Sequence, residues 1–234
     1  MSAKELFQSG NLKEAIQALG ALLRENPADA KSRTFLFELL CFTGEYDRAE
    51  KHLNVLASEN GQAEMGAVLY LSAIHAARER ESMFEKRTFP TEEVPPSLKG
   101  TLNGQPFESV EDTDPRLGAR LELFAAGAYL WIPFVHIEAI ELEAPKRLRD
   151  TLWAPAIVRT GPSFKGQELG QVLIPVISPL SCKNPNGNVA LGRATEWVES
   201  PEDGDAAPVG LKMLNVDGED VSFLEIRNLE FAVE

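Results

Sequence analysis

A spacing of 34 residues organises the first part of this chain. Leu6 and Leu40, Gly10 and Gly44, Leu12 and Tyr46, Ala15 and Ala49, and Leu19 and Leu53 are each 34 residues apart. Thirty-four is the period of tetratricopeptide repeats, in which pairs of antiparallel helices stack into a superhelix. The residue types suit that geometry. Each glycine makes the turn between two helices, and each alanine is small enough to let the second helix approach the first. The two turn-and-helix starts read Gly10-Asn11-Leu12-Lys13-Glu14-Ala15 and Gly44-Glu45-Tyr46-Asp47-Arg48-Ala49. The competing reading is an ordinary helical bundle with a chance spacing.

Helical periodicity runs under the repeat. Leu12, Ala15, Ile16, Leu19, Leu22 and Leu23 recur every three or four residues, which gives one apolar face. Asn26-Pro27 ends that helix. Phe35, Leu36, Leu39 and Leu40 mark a second, closed by Gly44, and Tyr46, Ala49, Leu53 and Leu56 mark a third. Residues 63–86, with Val68, Leu69, Leu71, Ile74 and Met83, predict a further helix that caps the array.

The texture then changes. Phe89-Pro90-Thr91-Glu92-Glu93-Val94-Pro95-Pro96 places three prolines in eight residues, which disfavours helix and stiffens the chain. The expected division is a repeat domain over 1–88, a linker over 89–99 and a mainly β domain over 100–234. Asn103-Gly104 is a strong two-residue hairpin signal. A second strand pair is predicted on either side of Gly127. Further short strands are predicted at 135–142, 156–159, 171–177, 190–198, 212–216 and 223–226, with one short helix near 145–152. The fold class is therefore two-domain α+β, a tetratricopeptide-like α-superhelix followed by a barrel-like, mainly β domain.

Charge follows the same division. Residues 1–100 hold 12 Lys/Arg against 15 Asp/Glu, and the remainder holds 11 against 21. A formal net charge of -13 argues against a general nucleic-acid binder, which needs a basic face, and against docking on anionic lipid. Cys41 and Cys182 offer neither a disulfide framework nor zinc spacing. The N-terminal residues enter a charged amphipathic pattern with no signal-peptide stretch. The uncharged run 123–135 is too short to span a bilayer. A cytoplasmic location is expected.

No pattern for catalysis stands out. His52, His75 and His136 form no metal-binding pair. Gly161 and Gly166 have P-loop spacing, but Gln167 and Glu168 replace the Lys and Ser/Thr that phosphate needs. Cys182 beside Lys183 has no neighbouring histidine and reads as an idle thiol. Glu138, Glu141 and Glu143 supply the carboxylates of a glycosidase pair, but Glu141 and Glu143 alternate as the wet face of a strand does, and that reading suffices. The best polar candidate is Glu111-Asp112-Thr113-Asp114-Pro115-Arg116. Its carboxylates suit a tight turn bonded to backbone amides, a partner contact or a hard-cation site, with the turn preferred. Tyr129, Trp131, Phe134, Trp153 and Trp197 serve either a binding hot spot or a β core, and Trp131, inside an apolar strand, favours the core. No cofactor is expected.

The β half resembles the ImpE family, also called TagJ, accessory proteins of bacterial type VI secretion systems. The resemblance rests on Asp112, on Asp114-Pro115-Arg116-Leu117-Gly118 and on Leu121-Glu122-Leu123-Phe124. It continues through Gly127-Ala128-Tyr129-Leu130-Trp131-Ile132-Pro133 and Leu148-Arg149-Asp150-Thr151-Leu152-Trp153-Ala154-Pro155-Ala156. It implies a non-enzymatic adaptor that binds the small subunit of the contractile sheath through that subunit's N-terminal helix and assists the sheath-disassembling ATPase. An amphipathic helix fits the concave groove of a repeat array. Groove candidates are Phe7, Phe35, Phe42 and Tyr46, with Asp112, Asp114 and Arg116 as further partner contacts. Two alternatives are an enzyme that uses a divalent cation at Asp112 and Asp114, and a general peptide-binding repeat protein.

Overall fold

A computed structural model describes residues 1–58, 61–90, 99–166, 168–199 and 204–232. Five helices come first: α1 (Ala3–Gln8), α2 (Leu12–Glu25), α3 (Ala30–Phe42), α4 (Tyr46–Ala57) and α5 (Gly61–Lys86). Gly10 and Gly44 take φ of 80° and 69°, the left-handed geometry that closes α1 and α3 and that a side chain would strain. Ala15 and Ala49 are fully buried where the paired helices meet. The 34-residue spacing thus carries a structural repeat. Ser2 caps α1 in a reciprocal box with Glu5, and Asp29 caps α3 by accepting from the N–H groups of Lys31 and Ser32.

The strands follow as β1 (Gly100–Leu102), β2 (Gln105–Phe107), β3 (Val110–Asp112), β4 (Arg120–Ala125), β5 (Ala128–Pro133), β6 (Ile137–Leu142), β7 (Trp153–Thr160) and β8 (Gly170–Pro175). After a one-turn helix, α6 (Gly187–Ala190), come β9 (Thr195–Glu199), β10 (Ala206–Gly210), β11 (Met213–Val216), β12 (Glu219–Ser222) and β13 (Asn228–Phe231). Asn103 and Gly104, at φ 49° and 81°, turn β1 into β2. The Asn103 side chain accepts from the N–H groups of Arg227 and Asn228, so the hairpin signal also ties β1 to β13.

Eight antiparallel strands form one open sheet in the order β2-β1-β13-β6-β7-β8-β4-β5. The expected barrel does not form, because β2 and β5 remain at opposite edges. Both sheet faces are instead covered from outside. On one face Phe124, Trp153 and Leu173 pack into the core of the helical array. On the other, Leu121, Leu123, Ala154, Val172 and Ile174 meet Val110, Leu214 and Phe223 in a second core. A three-stranded sheet, β12-β11-β3, lies over that second core. Alternation along β4, β7 and β8 thus feeds two cores rather than one core and water. The layers run helices, large sheet, small sheet.

Three local expectations are corrected. The span 190–198 is strand only from Thr195, because Gly187–Ala190 is helical and Asn186 caps it. The span 223–226 is a 3-10 turn, Phe223–Glu225, whose Ser222 caps the N–H of Leu224; strands flank it on both sides. The helix near 145–152 is the 3-10 turn Leu148–Thr151, and Pro145 precedes it. The body of the expected linker, 91–98, lies outside the described residues. Its first residue, Phe89, stacks on Trp131 at 6.0 Å and against Phe84 at 5.2 Å.

Candidate functional site

The inner face of the repeat array is filled by the chain itself. Tyr70 of α5 stacks on Trp153 of β7 at 6.5 Å and meets Phe37 of α3 edge-on. Arg149 lies 4.7 Å above the Tyr70 ring and bonds Glu38 of α3 at 2.9 Å. Leu148, Leu152, Ile177 and Leu191 join the same core. The groove that the repeat period suggests is therefore an internal interface between helices and sheet.

A buried charge cluster lies at that interface. Arg80 of α5 reaches Glu122 of β4 through two hydrogen bonds of 2.6 Å, and its guanidinium also donates to the Ile177 carbonyl at 2.9 Å. Lys212 bonds Glu122 as well. Its Nζ stands 2.8 Å from Asp112 Oδ2, an ion contact without hydrogen-bond alignment. Two cations thus offset two carboxylates away from water, which burial makes obligatory. Burial alone would raise the Glu122 carboxyl, but Arg80 and Lys212 outweigh it and hold the group down at about 2. Burial pushes Asp112 up to about 6 despite Lys212. The Tyr129 hydroxyl donates to Glu122 at 2.7 Å and accepts from the Trp131 indole N–H, so both aromatics of β5 are oriented by the same carboxylate.

The sequence-predicted residues divide between this interface and its rim. Asp112 Oδ1 accepts the Asp114 N–H at 2.9 Å, and Asp114 accepts the Arg116 N–H at 3.0 Å. Arg116 also grips Asp114 through its guanidinium and lies 4.7 Å above Phe84. These three residues form a turn neutralised by Lys212 and Arg116. Among the described residues no group of three or more His, Cys, Asp or Glu stands ready for a metal. Phe42 is sealed in the core, and Tyr46 packs against it. Phe7 and Phe35 meet edge-on at 5.4 Å and stay half-buried, with Arg193 lying 4.4 Å above Phe7. Trp131 is half-buried and Trp153 is core, whereas Trp197 is 57% exposed.

Arg80, Glu122 and Lys212 were not legible as a cluster, yet two carried a signal. Arg80 interrupts the buried stripe Ala73, Ala77, Phe84 at helical spacing. Glu122 sits between Leu121 and Leu123, where alternation reads as a wet face until a helix covers it.

Among the described residues, two of the external cavities adjoin α2 and the β9–β10 ribbon. One of about 880 Å³ runs beside α2, floored by Leu12 and Ile16 and walled by Thr43, Cys182 and Pro185. The other, of about 1040 Å³, lies between the end of α5 and the β9–β10 ribbon, lined by Phe84, Phe89, Leu180, Val198 and Val209. Burial, and the Glu81 carboxylate next, push the Cys182 thiol up to about 12, so it stays protonated. No helix among the described residues is long and apolar enough to cross a membrane.

Known proteins share this arrangement. A tetratricopeptide repeat family model matches residues 6–69. A Vibrio parahaemolyticus protein, VPA1032, solved by X-ray crystallography, superposes with a TM-score of 0.85 over 99% of this chain and 98% of that one, at 23% identity, and so shares the fold. The type VI secretion system accessory component TagJ of Pseudomonas aeruginosa is 27% identical, with 99% of this chain and 91% of that protein covered. The ImpE protein family model matches residues 104–230, from the Asn103-Gly104 turn through β13. The chain belongs to the ImpE protein family.

Proposed function

We propose that this protein is a cytoplasmic, non-enzymatic accessory adaptor of a type VI secretion system. It binds the small subunit of the contractile sheath by that subunit's N-terminal helix and assists the ATPase that disassembles the sheath. The observation that carries the reading is the near full-length correspondence with TagJ, which spans helices and sheets alike. The interlocked halves support it, since a chain whose repeat array is fused to its β sheet suits a rigid scaffold. With the inner face of the array filled, this reading assigns the partner helix to the outer cavity beside α2. There Leu12 and Ile16 supply apolar floor, and Gly20 leaves the helix surface low. Phe7, Phe35 and Tyr46 serve as neighbouring contacts. Phe42 and the Asp112, Asp114 and Arg116 turn act by holding the surface in shape.

Co-expression of the full chain with the sheath small subunit, with and without its first helix, tests the proposal. The intact subunit should co-purify, and the truncated one should not. Co-purification of neither, or of both equally, would reject the assigned partner segment.

A further inference from the structure

The β9–β10 ribbon forms a sheet of its own, and β9 is open along one side. All five residues of β9 are exposed, Trp197 by 57% and Val198 by 48%. The phase of the ladder fixes which backbone groups lie along the open edge. In an antiparallel pair, residues alternate between turning both backbone groups toward the partner strand and turning both away. Gly210, opposite Thr195, turns away from β9: its N–H donates to Ser181 Oγ at 2.7 Å, and its carbonyl accepts from the Ser178 N–H at 2.8 Å. Pro208, opposite Trp197, has no N–H to give β9 and so fits the same phase. Thr195, Trp197 and Glu199 therefore point their N–H and C=O groups outward. Among the described residues no strand pairs with that edge.

Edge strands in monomeric proteins are ordinarily blunted by lysine, proline or a bulge. Pro208 lies in β10, and the devices β9 carries are the charges of Glu196 and Glu199, which repel an acidic strand but not a basic one. Charge then selects the occupant. Between Thr195 and Gly210 the sequence holds five carboxylic acids and no Lys or Arg. Of the three cations that line the adjoining cavity, Arg116 and Lys183 are held by Asp114 and Glu85, and Arg87 has a partner as well. Among the described residues Glu196 accepts from the neutral amides of Asn184 and Asn186. A second copy of the chain would set carboxylates against carboxylates across the new pairing, which is unfavourable.

We infer that β9 accepts an extended segment of a partner protein as a third strand, and that this segment alternates basic with apolar residues. Its backbone pairs with Thr195, Trp197 and Glu199. Its apolar side chains enter the cavity beside Val198 and Phe84, and its basic side chains lie on the opposite face of the ribbon, toward Glu199. This site takes a strand rather than a helix and stands independently of the cavity beside α2.

The test uses the full chain with a nine-residue peptide of alternating Lys and Val, and a control in which Glu replaces each Lys. Amide hydrogen exchange and calorimetry provide the readouts. The basic peptide should bind and slow exchange at Thr195, Trp197 and Glu199 at least tenfold, and the acidic peptide should do neither. Glu199→Pro removes one outward N–H without touching the bonds to β10 and should abolish this protection. Glu199→Lys, which keeps every backbone group, should weaken the basic peptide and strengthen the acidic one. Equal binding of both peptides, no change at those amides, or amides already protected in a self-associated protein would each overturn the inference. The last outcome would give the edge to a second copy.

Discussion

Arg80 and Glu122 are locked together by two hydrogen bonds of 2.6 Å, across the seam between the last helix of the repeat array and the strand β4. Neither side chain has appreciable contact with water. The pair makes the relative position of helices and sheet an electrostatic requirement as well as a packing preference.

Replacing Glu122 with Ala should therefore cost far more than its methylenes. Arg80 and Lys212 would stay buried with one remaining carboxylate between them, and breaking such a pair costs about 3–5 kcal/mol. The urea midpoint should fall accordingly. A loss below about 1 kcal/mol would show that water reaches the cluster.

Asp112 predicts a specific pH dependence. Its carboxyl stands at about 6 when folded, against an ordinary 3.8. The folded protein thus holds this proton more tightly than the unfolded chain does. The resulting stability is full at low pH and is lost as pH rises from about 4 through about 6. Glu122 acts in the opposite sense. Lowered to about 2 from 4.5, it contributes fully above about 4.5, and that contribution is lost as pH falls toward 2. Asp112→Asn should remove the decline between pH 4 and 6, worth roughly 3 kcal/mol, while leaving the acid-side loss in place. Unfolding free energies measured across pH 3–8 check both signs.

Two glycines should respond oppositely to alanine. A Cβ at Gly187 would stand 1.9 Å from the Gly10 carbonyl oxygen, so the start of α6 would have to leave the first repeat turn. Gly187→Ala should destabilise by about 1–3 kcal/mol, as overpacking does. Gly66 lies inside α5 with nothing within 4 Å, and Gly66→Ala should stabilise by roughly 0.5–1 kcal/mol. Thermal melts of the two variants separate close backbone approach from helix propensity.

The sequence was legible wherever one residue decides local geometry. Gly10, Gly44, Asn103 and Gly104 announced their turns because their conformations are cheap for few other residue types. The 34-residue period announced the stacked helices. Closure of the sheet was not legible, because period-two patterning names a buried face without saying what buries it. Along β4, Leu121 and Leu123 face the second core. Phe124 and Glu122 are buried by α5 and its neighbours, which nothing local to β4 could report. The same long-range cover hid the cluster, since Arg80 and Lys212 are 132 residues apart in the chain. It also turned the inner face of the repeat array from an expected groove into a core.

The most direct test of the adaptor role is calorimetric titration of the full chain with a peptide of the sheath small subunit's N-terminal helix, alongside Gly20→Trp, which fills the cavity beside α2. The account predicts saturable binding of the helix at micromolar to tens of micromolar concentration, at least tenfold weaker in the variant. No heat of binding to the intact chain would contradict the account.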